Sequence, residues 1–391
     1  MNIGICCIAY NRLYSLKRLL LSLENAKYCD FKPTLIISID KSDTDVVEKF
    51  AYNYKWKYGE KKVYTHQTNL GLRKHVFECG HRVVDYDALV VLEDDVIVSP
   101  FFFLYTIECV SKYSNEQRVA GISLYNFPVN YQTRFPFNPV KSEYDVFMMN
   151  CAQSWGQVWM KRQWIEFELW YKNNSEDFNK EYLPNCLNSW NKNSWLKYHT
   201  RYCIEKNKFF VYPYESLSTN NNDIGTHVKE ITLNYFQSNI QIIEKENYKL
   251  PNFEDCFIKY DGFFEPLFIG QYLNIDSNQL CVDLNCEKDK SLYKSFLLTR
   301  KILPYKLIKG YGLLLKPLEA NLLYSIVGYD LFLYDTRQYS DEKINQNKAH
   351  YIEYQYGISV ISLIHKYGLI PFFGLSIKRL KNIISNVWNN I

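Results

Sequence analysis

The chain opens by alternating between two hydrophobic periods. Residues 3–9, IGICCIA, form the short apolar run expected of a buried strand. Residues 12–26 then place Leu13, Leu16, Leu19, Leu20 and Leu23 at helical spacing. A second apolar run, TLIISID (34–40), precedes helical spacing over 43–57, where Val46, Val47, Phe50 and Tyr54 lie near one face. KVYTH (62–66) predicts a third strand, 71–84 a third helix and ALVVLED (88–94) a fourth strand. Strands and helices alternating at this spacing predict an α/β fold with a mainly parallel sheet, helices on both faces and right-handed crossovers.

Sheets of this kind bind ligands outside the carboxyl ends of their strands. Here those ends carry AYNR (9–12), Asp40, QTNLGLR (67–73) and Glu93-Asp94-Asp95. All four are polar and are expected on one rim. The acids raise a problem of their own, because they sit between two apolar runs in VVLEDDVIVSP (90–100). Crowded carboxylates repel one another, and burying them is costly unless something positive is near.

Past residue 100 the pattern mixes. A helix is expected over 100–113, entered through Pro100, and a strand over 119–126. Residues 127–143 hold three prolines and predict a long loop. Helices are expected at 160–172 and 194–206, a strand at 209–213 and a loop at 218–227. Near residue 250 the character changes. Residues 1–250 are expected to form one catalytic unit. Residues 251–391 are expected to form a mostly helical C-terminal extension serving acceptor binding, oligomerisation or membrane docking. From 375 on, Leu375, Ile377, Leu380, Ile383, Ile384 and Val387 could share a helix face opposite Lys378, Arg379 and Lys381. Such a helix would either lie in a membrane interface or pack on the extension.

Composition narrows the classes. The 391 residues are 47% hydrophobic and 17% aromatic, enough for a large core and against global disorder. The net charge of +4 comes without a basic block in the first half, so nucleic acid is not an expected partner. Eleven scattered cysteines without a CxxC pair predict neither a zinc site nor a disulfide framework. The N-terminus lacks a basic region and no apolar run is long enough to span a bilayer. The expected location is the cytoplasm, or the inner face of the cytoplasmic membrane.

Three acids at a strand's carboxyl end can hold a hard divalent cation, Mg²⁺ or Mn²⁺, which favours oxygen ligands. A solvated turn or an acidic helix cap before Pro100 is the alternative. Further residues bear on the choice. VLEDDVIVSPFFF resembles the Glu-Asp-Asp form of the DxD motif in GT-A glycosyltransferases, of the N-acetylglucosaminyltransferase I type and its bacterial family 2-like relatives. AYNRLYSLKRLLLSL, IISIDKS, TNLGLRKHV and CAQSWGQVWMKRQW match that pattern in order, and NSWLKYHTRYCIEKNKFFVYPYESLSTNNNDIGTHV resembles the segment that closes the catalytic domain. The resemblance covers about residues 1–240.

It implies a GT-A, Rossmann-like domain using a nucleotide-sugar donor, a UDP-sugar above others, with Mn²⁺ or Mg²⁺. It also implies inverting transfer to a hydroxyl of a glycan or lipid-linked acceptor. By the resemblance, Asp95 ligates the metal, while Asp94 and Glu93 lie beside the donor ribose and sugar. Asp40 contacts the base, Asn11 and Arg12 meet the nucleotide, and Asn69, Gly71 and Arg73 belong to the turn near the donor. Ser154, Trp155 and Gly156 form the loop under sugar and acceptor. An inverting transfer also needs a base. The relatives carry an Asp near a Trp after the SWG loop, where this chain reads NSWNKNSW. Glu166, Glu168, Glu215 and Asp223 are the nearest acids, and Asp223 is favoured, with a loop-stabilising turn as its other role. His227 could ligate metal, contact phosphate or be structural. A nucleotidyltransferase would show a glycine-rich basic loop after the first strand, which AYNRLYS lacks. A non-catalytic nucleotide-sugar-binding module fits the missing base.

Overall fold

The computed structural model describes residues 1–221, 223, 235–346, 348–357, 359–370 and 374. In chain order its elements are β1 (Ile3–Ala9), α1 (Leu13–Glu24), β2 (Thr34–Ile39), α2 (Val46–Asn53), β3 (Lys61–Thr65), α3 (Leu72–His81), β4 (Ala88–Glu93) and β5 (Val96–Val98). There follow α4 (Phe102–Tyr113), β6 (Val119–Ser123), β7 (Val146–Met149), β8 (Gln157–Met160), α5 (Lys161–Lys172), α6 (Asn185–Ser189), α7 (Trp195–Glu205), β9 (Phe209–Pro213) and β10 (Ser218–Asn220). The remainder is β11 (Lys259–Tyr260), α8 (Ile269–Leu273), β12 (Leu280–Asp283), β13 (Phe296–Thr299), β14 (Tyr305–Tyr311), α9 (Leu318–Leu323), β15 (Leu331–Tyr339), α10 (Lys348–Tyr356) and α11 (Val360–Tyr367).

A nine-stranded sheet of order β11-β7-β9-β6-β8-β4-β1-β2-β3 organises the first unit. β1 to β4 run parallel, as expected, and β6 and β9 share their direction, while β7, β8 and β11 run opposite. Side chains alternate across a strand, so each buried strand feeds two cores. Ile3, Ile5, Cys7 and Ala9 of β1 pack with α1, α2 and α4. Cys6 and Ile8 pack on the other face with α3, α5 and α7. Ala88, Val90 and Leu92 of β4 point to the first core, Leu89 and Val91 to the second. The same alternation sends Glu93, next in line, to the side of α7.

Three regions differ from the sequence reading. β7 and β8, VFMM and QVWM, are too short and too uniformly apolar to show a period, and went unread. The expected loop at 218–227 begins as β10, which pairs antiparallel with β5. The extension is not mostly helical: its centre is a four-stranded sheet of order β12-β13-β15-β14. Two of its strands have four residues each, and β14 and β15 are buried unevenly, so neither the helical nor the alternating pattern was long enough to register. The amphipathic stretch from 375 lies outside the described residues.

Packing of the large sheet continues past residue 250. β11 adds its edge strand, and Ile258, Phe264 and Phe268 join the core beside α7. The seam with the four-stranded sheet is polar. Lys288 Nζ donates to Asp261 at 2.6 Å and the Asn285 backbone N–H to Glu265 Oε1 at 2.6 Å, while Lys301 Nζ donates to Asp283 at 2.7 Å within the four-stranded unit. Glu265 is 1% exposed and its Oε2 has no hydrogen-bond partner. Burial pushes its carboxyl up to about 8, against the pull of Lys288 and with Asp261 and Asp283 adding to the rise. Between the ordinary carboxylate range and that value, the folded chain holds a proton that the unfolded chain has released. The stabilisation is therefore complete below the unfolded value and is lost as pH rises towards 8. Glu265→Gln removes this dependence. In urea unfolding, the variant should gain on the wild type as pH rises through this window, by about 4 kcal/mol at its upper end. Parallel stability curves would contradict it.

Candidate functional site

The chain leaves β4 in a tight turn. Glu93 is the last residue of that strand, Asp94 and Asp95 form the turn, and β5 begins at Val96. Val96 and Val98 then dip into the core beside α1 and α4. The second apolar run is therefore a separate strand, and the acids stand between the two at the carboxyl rim.

Arg12, at the start of α1, lies across both aspartates. Its Nε donates to Asp94 Oδ2 at 3.3 Å, its Nη2 to Asp94 Oδ1, and its Nη1 to Asp95 Oδ2 at 3.4 Å. Asp94 is almost fully enclosed, with 5% of its side chain exposed against 24% for Asp95. Burial pushes Asp94 up to about 6 although Arg12 pulls it down, and raises Asp95 in the same way. Glu93 is pushed up to about 8 by burial and by Asp95, while the indole of Trp195 on α7 donates to its Oε1 at 3.4 Å.

Asp223 is brought to the same rim by the β5–β10 pair, next to Asn221, whose amide donates to the Asp95 carbonyl at 2.8 Å. Ser15 and Arg18, three residues apart and so on one face of α1, both donate to Asp223 Oδ2, and Asn221 Nδ2 donates to Oδ1 at 2.7 Å. Burial would raise its carboxyl, but these donors outweigh it and the group lies below the usual range. The expected base is thus the ion-pair partner of Arg18 and a weak proton acceptor. His227 lies outside the described residues.

The other strand ends converge as expected, with altered roles. Asp40 is buried, and its oxygens accept the backbone N–H groups of Lys41, Leu70 and Gly71 at 2.8, 2.8 and 2.9 Å. It holds the Asn69–Gly71 turn as well as facing the rim. Asn69 closes that turn by donating to the Lys41 carbonyl at 2.8 Å. Gly71 has φ +73°, a left-handed entry into α3 that suits glycine. Arg73 is bound to the Lys192 carbonyl and the Tyr198 hydroxyl, both at 2.9 Å, and so ties α3 to the segment before α7. Asn11 is exposed beside Arg12. In the loop before β8, Trp155 packs against Tyr125 and Phe236, with ring centroids 4.8 and 5.3 Å away. Gly156 adopts φ +103°, and Ser154 is half-buried. Ser15, Arg18 and Trp195 were not singled out from the sequence. A serine and an arginine bordering a leucine stripe, and a tryptophan in NSWNKNSW, were the available signals.

Among the described residues no three His, Cys, Asp or Glu side chains already converge as a metal cage. The charges around the turn are nevertheless unbalanced. Four carboxyl groups, Glu93, Asp94, Asp95 and Asp223, face two guanidinium groups, Arg12 and Arg18. A cleft of about 520 Å³, lined by Met1, Asp87, Lys161 and Glu166 among others, opens at the amino ends of the strands. Of the acids named from the sequence it holds only Glu166, and it lies at the end where such sheets do not bind ligands.

No protein-family model matches the chain, and no curated protein matches it. Solved structures do. TarS residues 1–349 of S. aureus, in complex with UDP-GlcNAc, aligns at 13% identity and a TM-score of 0.38, covering 60% of this chain and 62% of that one. GalNAc-T7 with UDP, GalNAc and Mn²⁺ aligns at 10% identity and a TM-score of 0.38, covering 55% and 42%. The mannosyltransferase PcManGT from Pyrobaculum calidifontis, with GDP-Man and Mn²⁺, aligns at 10% identity and a TM-score of 0.35, covering 54% of each chain. The matched part spans less than two thirds of each of these proteins.

If Arg12 is what makes the enclosed Asp94 tolerable, removing it alone should cost more than removing both. Arg12→Gln is expected to destabilise the protein by about 2 kcal/mol, and Arg12→Gln with Asp94→Asn to recover most of that loss. Additive effects in a double-mutant cycle would contradict the coupling.

Proposed function

We propose that the chain is a metal-dependent glycosyltransferase. It would move a sugar, with inversion, from a nucleotide-sugar donor to a hydroxyl of a glycan or lipid-linked acceptor in bacterial surface polysaccharide synthesis. The observation that carries this reading is the Glu93-Asp94-Asp95 turn at the carboxyl rim, with more carboxyl than guanidinium groups around it and bordered by the Arg12 loop and the Asp40-held turn. A uridine nucleotide is favoured through the resemblance of the motifs.

The residues present fit a divalent cation. Mg²⁺ and Mn²⁺ use one or two carboxylates and complete their shell with water and substrate phosphates, so no preformed cage is required. Asp95, the more open of the two aspartates, would hold it, with Asp94 kept by Arg12. Once bound, the cation would neutralise charge developing on the diphosphate leaving group. Arg12 is placed to shift from the aspartates to those phosphates, a pairing its planar fork suits. The acceptor oxygen would bond to the anomeric carbon as the bond from that carbon to the phosphate oxygen breaks. The acceptor proton would pass to Glu93 Oε2, since Oε1 already takes the Trp195 N–H. Glu93, pushed up to about 8, must first release its own proton to act as the base, and its raised proton affinity then suits that role better than that of Asp223, whose donors hold it low.

Donor hydrolysis or transfer should require Mn²⁺ or Mg²⁺ and fall at least about a hundredfold in Asp95→Ala, in the range of losing a transition-state charge contact. Unchanged, metal-independent turnover in that variant would sink the metal role. Tight nucleotide-sugar binding without turnover against any acceptor would instead leave a binding module.

A further inference from the structure

The extension exposes large apolar side chains from a backbone that is firmly tied down. Leu314 and Leu315 stand on the turn between β14 and α9, Leu323 and Tyr324 at the end of α9, and Val327 on the return, and they are 72%, 36%, 52%, 68% and 84% exposed. Asn321, fully buried beneath them, accepts the backbone N–H groups of Leu314 and Leu315, both at 2.8 Å. Its amide donates to the carbonyls of Leu315 and Leu318 at 2.8 and 3.0 Å. Behind the turn, Gly312 and Gly328 cross so closely that a Cβ on Gly328 would stand 2.4 Å from the Gly312 Cα. A buried asparagine and a glycine crossing thus hold leucines towards water, where a monomer gains nothing from them.

The unpaired charge beside this knuckle is mainly basic. Lys306, Lys309 and Lys316 lie along β14 and the turn, against Glu319 on α9 and Asp330, whose carboxylate is engaged by the Leu313 N–H and His350. Lys309 and Lys316 flank the turn and form no ion pair with a described residue; each lies over a tyrosine ring instead. A second copy meeting this surface about a two-fold axis would set lysines against lysines. An apolar tip with a basic surround fits an anionic lipid surface, where apolar insertion and attraction to headgroups add. Among the described residues no helix is long and apolar enough to cross a membrane, so the contact would be peripheral.

We propose that the Leu314–Val327 knuckle docks the protein on an anionic membrane surface. This contact is independent of the donor site and of residues 375–391. Flotation of the full chain with vesicles of phosphatidylglycerol and phosphatidylcholine, against phosphatidylcholine alone, tests it. The wild type should float with the anionic vesicles and lose binding in high salt. Leu314→Ser with Val327→Ser should lower partition about tenfold with an unchanged thermal midpoint, because both positions are exposed. Lys309→Gln with Lys316→Gln should weaken binding and flatten its salt dependence. Three outcomes would overturn the proposal: no flotation with anionic vesicles, flotation undiminished by Leu314→Ser with Val327→Ser, or concentration-dependent dimerisation that this variant abolishes.

Discussion

Enclosing carboxyl groups at the end of a buried strand is the constraint around which the first unit is arranged. Asp94 is only 3% exposed in its turn, and an unpaired charge there would cost several kcal/mol. Arg12 supplies the compensating charge, and it can do so only because β1 lies directly beside β4 and both run the same way. The parallel pairing brings the loop after β1 against the turn after β4. Arg18 and Ser15, one turn further along α1, perform a similar service for Asp223. One helix therefore neutralises acids that enter from two separate parts of the sheet.

The arrangement is only partly neutral, and that gives it chemistry. Asp95 keeps some exposure, Glu93 holds its proton into the neutral range, and the cluster retains more acid than base. A fully paired cluster would be a structural ion-pair network, while an unpaired one would unfold the rim. The intermediate state suits a site whose missing charge arrives with its ligand. Around it, Asp40 fixes the Asn69–Gly71 turn and Arg73 fastens α3 to the approach of α7, so the rim is assembled before anything binds.

The first ninety residues were legible because β1 to β4 are runs of at least five residues and each helix carries a distinct apolar stripe. β1 and β9 fall at the residues read from sequence. Glu93, Asp94 and Asp95 were legible as acids out of place between apolar runs. Partnership was not. Nothing in the local sequence pairs Ser15 and Arg18 with Asp223, about two hundred positions away, or sets Trp195 against Glu93. These contacts follow from sheet order, which periodicity does not contain. The expectation of Asp223 as a base failed to anticipate its donors for the same reason. The extension hid its sheet in four-residue strands and in one-sided burial at an edge.

The central claim is that the carboxyl rim, and not the cleft at the other end of the strands, receives a nucleotide and a divalent cation. A crystal structure of the chain grown with UDP and Mn²⁺ tests it most directly. The account expects the diphosphate over the Glu93–Asp95 turn, Mn²⁺ density at Asp95, and the base between the 9–12 loop and the Asp40-held turn. A nucleotide bound elsewhere, or one at the rim with Arg12 still across both aspartates and no metal density, would contradict it.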